Sequence, residues 1–284
     1  MSIALTPNIA ETRTRVAEAR KNNLTIGVVP TMGALHEGHG ELVRRARAEN
    51  GFVVVTLFVN PIQFNRREDL DRYPRDVSKD VAYCDSLGAD VVFAPEVDEM
   101  YPGQLMTSVE VSGVSQYLEG EFRPGHFKGV STVVAKLLNI VQADRAYFGE
   151  KDAQQLAVIQ KMVADLNMPV TIVPVPTVRE ADGLALSSRN RLLSPEEREQ
   201  APVVYRALQA AQAQILSGET AKVARIAALS ILAENPSMRL DYLEVVDAAT
   251  MTPVDQNAQL TAPVRIAIAV WLGKTRLIDN VLAS

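Results

Sequence analysis

Two histidines three residues apart, His36 and His39, stand in "PTMGALHEGHGELVRRA" (30–46), directly after the apolar run "LTIGVV" (24–29). Small polar residues pack a core poorly. A loop rich in them that opens a helix, however, presents backbone N–H groups and the positive end of the helix dipole to an anion. Gly33 and Gly38 let the backbone approach a phosphate closely, and imidazoles can donate hydrogen bonds to it. The stretch Met32, Gly33, Ala34, Leu35, His36, Glu37, Gly38 and His39 is therefore expected to cradle phosphate groups. Two other readings stand beside this one. The pair could bind a metal, although the chain has only one further histidine, His126, and no third ligand lies nearby in sequence. The histidines could also be plain surface residues.

A second strand-to-helix junction, "YFGEKDAQQL" (147–156), repeats the pattern. Gly149 and the backbone of Glu150, Lys151 and Asp152 form a second candidate anion site, to which Lys151 adds a full positive charge. Asp152 could cap the following helix, and Gln155, three residues on, shares its face near the first turn. A solvated lysine and a surface glutamine are the alternatives. "FVNPIQF" (58–64) carries Gln63 after another apolar run, and "LALSSRN" (184–190) offers Ser187, Ser188 and Arg189. Arg123, His126 and Lys128 in "RPGHFKGV" (123–130) precede a helix without declaring a role. The charge-rich "REDLDRYPRD" (67–76) reads as a solvated face.

The elements around these clusters follow from the hydrophobic pattern. A first helix is expected over 9–21. Strands are expected at 24–29, 52–59, 90–95, 145–149 and 169–175, each apolar throughout, as for strands buried on both faces. Helices are expected over about 38–50, up to Gly88, over 127–142 and over 152–167. Strands alternating with helices imply a parallel sheet covered on both faces, where ligands bind beyond the carboxyl ends of the strands. The polar clusters fall at those ends. The fold class is thus α/β, a Rossmann-like parallel sheet over residues 1–176. From residue 177 the texture changes. "SPEEREQAPVVYRALQAAQAQIL" (194–216) reads as one long helix with Ser194 as N-cap, Pro195 at its first position and Glu197 closing a capping box. A helix over about 219–234 and two strands, 239–247 and 264–273, complete a small C-terminal α+β domain over 177–284.

Bulk properties exclude several classes. The 284 residues, 47% of them hydrophobic, suit one large and one small globular domain. A net charge of −5 argues against a nucleic-acid partner. No stretch reaches the roughly 18 apolar residues of a membrane span, and the N-terminus lacks the pattern of a secretory signal. The single cysteine, Cys84, reads as a buried thiol rather than a reactive one. The expected compartment is the cytoplasm.

"PTMGALHEGH" resembles the HIGH-type signature of the nucleotidyltransferase superfamily. Together with "FVNPIQF", "RPGHFKGV", "YFGEKDAQQL", "ALSSRN" and "WLGKTRLIDN" (271–280), in this order and spacing, it resembles the pantoate–β-alanine ligase family across nearly the whole chain. The resemblance implies a reaction in which pantoate and ATP give pantoyl adenylate and pyrophosphate, and β-alanine then displaces AMP. It implies His39 as the catalytic donor with His36 beside it, and Lys151 and Arg189 as catalytic cations. Nucleotide contacts are implied along Met32–His39, at Gly149, Glu150, Lys151 and Asp152, at the Val178 backbone, and at Leu186, Ser187, Ser188 and Arg189. Arg189 stands where relatives in the superfamily carry a lysine-rich loop, and the C-terminal domain would form a lid. Gln63 is implied to touch pantoate and β-alanine, and Gln155 to touch pantoate. Neutral amides suit this task, because a tight salt bridge would quench a carboxylate that must act as nucleophile. Magnesium is expected with the ATP, held mainly by phosphates and water, with no protein metal ligands. The expected assembly is a homodimer acting on small molecules, away from nucleic acid and membrane. A nucleotidyltransferase that stops at an activated nucleotide is the alternative activity.

Overall fold

The computed structural model describes residues 3–260 and 263–284. Its chain divides into two compact units, the first made of residues 1–112, 122–150 and 158–176, the second of 113–121, 151–157 and 177–284.

The first unit is built on a six-stranded parallel sheet: β1 (Ala4–Thr6), β2 (Ile26–Thr31), β3 (Phe52–Leu57), β4 (Val91–Phe93), β5 (Arg145–Gly149) and β6 (Thr171–Val175), in the order β1-β4-β3-β2-β5-β6. Its helices are α1 (Ile9–Lys21), α2 (Glu37–Glu49), the short α3 (Arg67–Asp71), α4 (Val77–Ser86), the short α5 (Val97–Met100) and α6 (Glu119–Phe122), α7 (His126–Val141) and α8 (Ala153–Asp165); α6 and α8 each run across a boundary between the units. Strand periodicity sends Val29, Val53, Val55, Val92 and Tyr147 to one face. There they meet Leu42, Val43 and Ala46 of α2 and Cys84 of α4. Those α2 residues recur at three- and four-residue spacing, the stripe that a helix needs to cover a sheet. The alternation of strands and helices matches the sequence expectation, with the short helices α3, α5 and α6 and one strand added. β1, only three residues long, pairs with β4 at the sheet edge, too short a run to show periodicity.

The second unit holds α9 (Pro195–Gln200), α10 (Val203–Leu216), α11 (Ala221–Leu232) and an antiparallel sheet of β7 (Met238–Asp247), β8 (Val264–Leu272) and β9 (Thr275–Ala283). Two expectations are corrected here. The single long helix from Ser194 is two helices. The expected Ser194–Glu197 capping box is present, but Pro202 lacks an amide and stands as the N-cap of α10, so the hydrogen-bond ladder restarts there. The sheet has a third strand, β9, whose "TRLIDN" mixes polar and apolar residues. Ile266, Ile268, Val270, Leu277 and Val281 face α10 and α11 in a separate apolar core. Among the described residues no helix is long and apolar enough to cross a membrane.

Candidate active site

β2 lies at the point where the strand order reverses, with β3 and β4 on one side and β5 and β6 on the other. Such a switch point opens a crevice at the carboxyl end of the strand, and the histidine loop leaves β2 there. The Thr31 hydroxyl donates to the Thr56 carbonyl (2.7 Å) and accepts from the Gly33 amide (3.2 Å). Gly33 and Ala34 take left-handed backbone angles, φ +81° and +52°. A Cβ on Gly33 would lie 2.9 Å from an Asp80 oxygen, so only glycine fits. The amides of Ala34 and Leu35 donate to the two oxygens of buried Asp80, at 2.8 and 2.9 Å.

The two imidazoles then lock the start of α2 reciprocally. The His36 amide donates to His39 Nδ1 (3.4 Å), and the Gly38 amide donates to His36 Nδ1 (3.2 Å), giving a capping box made of histidines. Because each Nδ1 accepts, each neutral ring carries its proton on Nε2. The rings lie 4.1 Å apart, both half-buried. This refines the expected cradle. The amides of residues 33–36 and 38 serve the loop itself, and the imidazole Nε2–H groups are side-chain donors whose tautomer the backbone fixes. Glu37 points to solvent, where the Tyr83 hydroxyl (2.7 Å) and then Arg44 hold its carboxyl below the usual range.

In the same unit Gln63 is buried at the end of a 3₁₀ turn, Pro61–Gln63. Its Oε1 accepts from Asn60 Nδ2 (3.0 Å), and its Nε2 contacts the Met32 sulfur (3.3 Å), which ties it to the histidine loop. Asn60 in turn donates to the Gly129 carbonyl (3.1 Å) and accepts from the Tyr101 hydroxyl (2.8 Å). His126 Nδ1 lies 2.9 Å from the Gln63 carbonyl. Gly129 has to be glycine, since a Cβ would meet the Ile62 carbonyl at 2.5 Å. His126 therefore supports Gln63. Lys128, without a role in the sequence, pairs with Glu110 at 3.4 Å on the surface.

From Lys151 onward the remaining candidates belong to the second unit. β5 ends at half-buried Gly149, and a 3₁₀ turn over Glu150–Asp152 leads into α8. The Lys151 side chain is only 17% exposed, with its ammonium 3.8 Å from the Asp152 carboxylate. Lys151, Ser187 and Arg189 line one cavity, together with Asn190 and Asp279. The Ser187 hydroxyl caps a 3₁₀ turn over Ser188–Leu192 by accepting from the Arg189 amide (3.3 Å), and Leu186 donates to the Val178 carbonyl (3.0 Å). Gln155 is half-buried on the first turn of α8 and does not line that cavity. Its neighbour Gln154 is buried, bonding the Val114 and Tyr117 carbonyls and the Glu119 amide at 2.7–3.0 Å. Sequence reasoning missed Asn60, Tyr101, Asp80 and Gln154. Asn60, three residues before Gln63, and Gln154, beside Gln155, both lie in quoted motifs; Tyr101 and Asp80 carried no signal. Among the described residues no three His, Cys, Asp or Glu side chains group as a metal site.

A doubly wound α/β sheet with a helix-opening histidine loop at its switch point defines a nucleotide-binding protein of the Rossmann-like kind. The pantoate–β-alanine ligase family model matches residues 4–282. Pantothenate synthetase of Moorella thermoacetica is 52% identical over 279 residues, covering 98% of each chain. Pantothenate synthetase of Thermus thermophilus has a similar structure, with TM-score 0.92 and 48% identity over 98% of this chain and 99% of that one. A pantoate–β-alanine ligase from Francisella tularensis, solved with βγ-ATP and β-alanine, matches with TM-score 0.81 and 35% identity over 99% and 98% of the two chains. The chain belongs to the pantoate–β-alanine ligase family.

Proposed function

We propose that this chain condenses (R)-pantoate with β-alanine at the expense of ATP, through pantoyl adenylate. A pantoate carboxylate oxygen attacks the α-phosphorus, and the bond to the β-phosphate oxygen breaks, releasing pyrophosphate. The amine of β-alanine then attacks the acyl carbon, forms the C–N bond, loses a proton and expels AMP. The observation that carries this reading is the histidine capping box. Two imidazoles whose Nδ1 atoms accept from the backbone keep Nε2–H as the donor side of each ring, and one such donor to an oxyanion is worth roughly 3–4 kcal/mol in a transition state.

In this reading His39 and His36 donate to the α-phosphate, and Lys151 and Arg189 offset charge on the triphosphate. The backbone of Met32–His39, Gly149–Asp152, Val178 and Leu186–Arg189 frames the nucleotide, while Gln63 and Gln155 hold pantoate. Residues 177–284 bring Arg189 to the triphosphate as a lid. Magnesium would come with the ATP, held mainly by phosphates and water; when bound, the ion neutralises phosphate charge. The protein works as a cytoplasmic homodimer. Two assays test the reaction. Labelled pyrophosphate should exchange into ATP with pantoate present and β-alanine absent, and AMP should accumulate only when all three substrates are supplied. Exchange that required β-alanine would reject the two-step order.

A further inference from the structure

The "TRLIDN" segment opens β9, one of the two edge strands of the C-terminal sheet. Consecutive strand residues point to opposite faces, and β9 uses both faces at Asp279 and Asn280, each 5% exposed. On the helix-covered face Asp279 receives Arg179 bidentately, at 2.6 and 3.0 Å. Arg179 also stacks on Tyr205, 3.8 Å from the ring centroid. It stands at the base of a narrow loop, where Arg179 bridges Ala185 and Leu186 bonds Val178. That loop presents Leu186–Arg189. On the other face Asn280 Nδ2 donates to the Lys151 carbonyl (2.9 Å), and its Oδ1 accepts from Arg265 (2.6 Å). The Asn280 carbonyl accepts from Arg179 (3.2 Å), closing the network. An amide is needed at 280 because the side chain must donate to one partner and accept from another.

We propose that Asn280 is a positioning residue, which holds the Lys151 turn in register with the 186–189 loop that neighbouring Asp279 anchors through Arg179. The proposal rests on the nucleotide roles assigned above to Lys151 and Arg189. Asn280 touches no reacting atom; it acts through the backbone of Lys151. A displacement of about 1 Å at a group meeting the triphosphate can cost roughly 100-fold in rate.

The test is a double-mutant cycle on pantoate-dependent ATP–pyrophosphate exchange, with Lys151→Ala, Asn280→Ala and the pair combined. Asn280→Ala should lower kcat/KM for ATP by about 10- to 100-fold while the KM for pantoate changes little. The double variant should lose clearly less than the two single losses combined, because the Lys151 ammonium that Asn280 helps to place is already gone. Fully additive losses, or equal damage to both substrates' parameters, would overturn the proposal while leaving the Lys151 role intact. Near-normal exchange by Lys151→Ala would overturn the Lys151 assignment and this inference with it. Should Asn280→Ala not fold, Asn280→Asp keeps the shape and the Arg265 contact but turns the donor facing the Lys151 carbonyl into a carboxylate oxygen that opposes it. Its exchange should fall at temperatures where the variant remains folded, and normal exchange in that variant also overturns the proposal.

Discussion

The histidine loop and the Lys151 turn are both junctions from a parallel strand into a helix, yet they are held in opposite ways. The histidine loop fixes itself. Thr31, His36 and His39 satisfy the amides of Gly33, Gly38 and His36 within a span of nine residues, and a single distant side chain, Asp80, supplies the rest. The Lys151 turn is held from Asn280, 129 positions away, and the loop that shares its cavity is held by an Arg179–Asp279 pair 100 positions apart. A self-contained cluster survives as a motif. A remotely held one depends on a sheet that has to form first.

The largest effect should come from separating the two duties of the histidine loop. His39→Ala removes both the Nδ1 acceptor and the Nε2–H donor; kcat and kcat/KM should fall together by roughly 100-fold or more, with a loss of about 1 kcal/mol in stability from the broken cap. His39→Asn retains an acceptor near the Nδ1 position, so its stability should recover while its rate does not. A variant whose rate and stability recovered together would reduce His39 to a helix cap and erase the contrast with Lys151.

Asp80 is the distant side chain that holds the Ala34 and Leu35 amides, so it measures how self-contained the first cluster is. Asp80→Asn turns one acceptor for the Ala34 or Leu35 amide into a donor facing a donor, a loss expected at about 1–3 kcal/mol by chemical denaturation. Adenylation should slow while the KM for pantoate holds. A variant with unchanged stability and rate would show that the loop does not depend on Asp80.

The smallest effect is alkaline. Burial pushes the Cys84 thiol from 9.0 to about 12, and burial with the Glu37 hydrogen bond raises the Tyr83 hydroxyl from 10.0 to about 12. Both sit on α4 beside Asp80. Folded pKa values above the unfolded ones add stability that is fully present below pH 9 and is lost as pH rises toward 12. Denaturation midpoints should therefore decline across that window, and alkylation of Cys84 should be negligible at about pH 8, below the ordinary thiol pKa, until the chain is unfolded. Rapid alkylation of the native protein would show that α4 opens readily and supports the loop poorly.

Legibility in the sequence followed the same division. Short apolar runs and period-3.6 patterns marked five of the six parallel strands and the main helices, because each is decided by its own residues. The histidine loop was legible for the same reason: its caps, glycines and donors lie within one window. Asp80 was not, since nothing in an ordinary amphipathic helix marks the residue that meets a loop 46 positions away. Gln154 and Gln155 are adjacent and chemically identical, and only the fold buries the first against the Val114 and Tyr117 carbonyls. β9 escaped because Arg276, Asp279 and Asn280 interrupt its apolar run, and those interruptions are its long-range contacts. The break at Pro202 was readable in principle, as a proline inside a helical pattern, but the capping box at Ser194–Glu197 argued for continuity.

The second compact unit collects residues 113–121 and 151–157 as well as 177–284, and this bears on how such a gene can recombine. Arg276 pairs with Glu119 and Asp241 at 2.8 Å, Tyr242 bonds Glu119 at 2.9 Å, and Gln154 stitches the 113–121 segment in place. A crossover at residue 177 would hand the C-terminal block a foreign Glu119 and Gln154, stranding a buried guanidinium among strangers. Chimeras between relatives would remain foldable only if three separated stretches were inherited from the same parent, so the unit is one object in space and three in the genome.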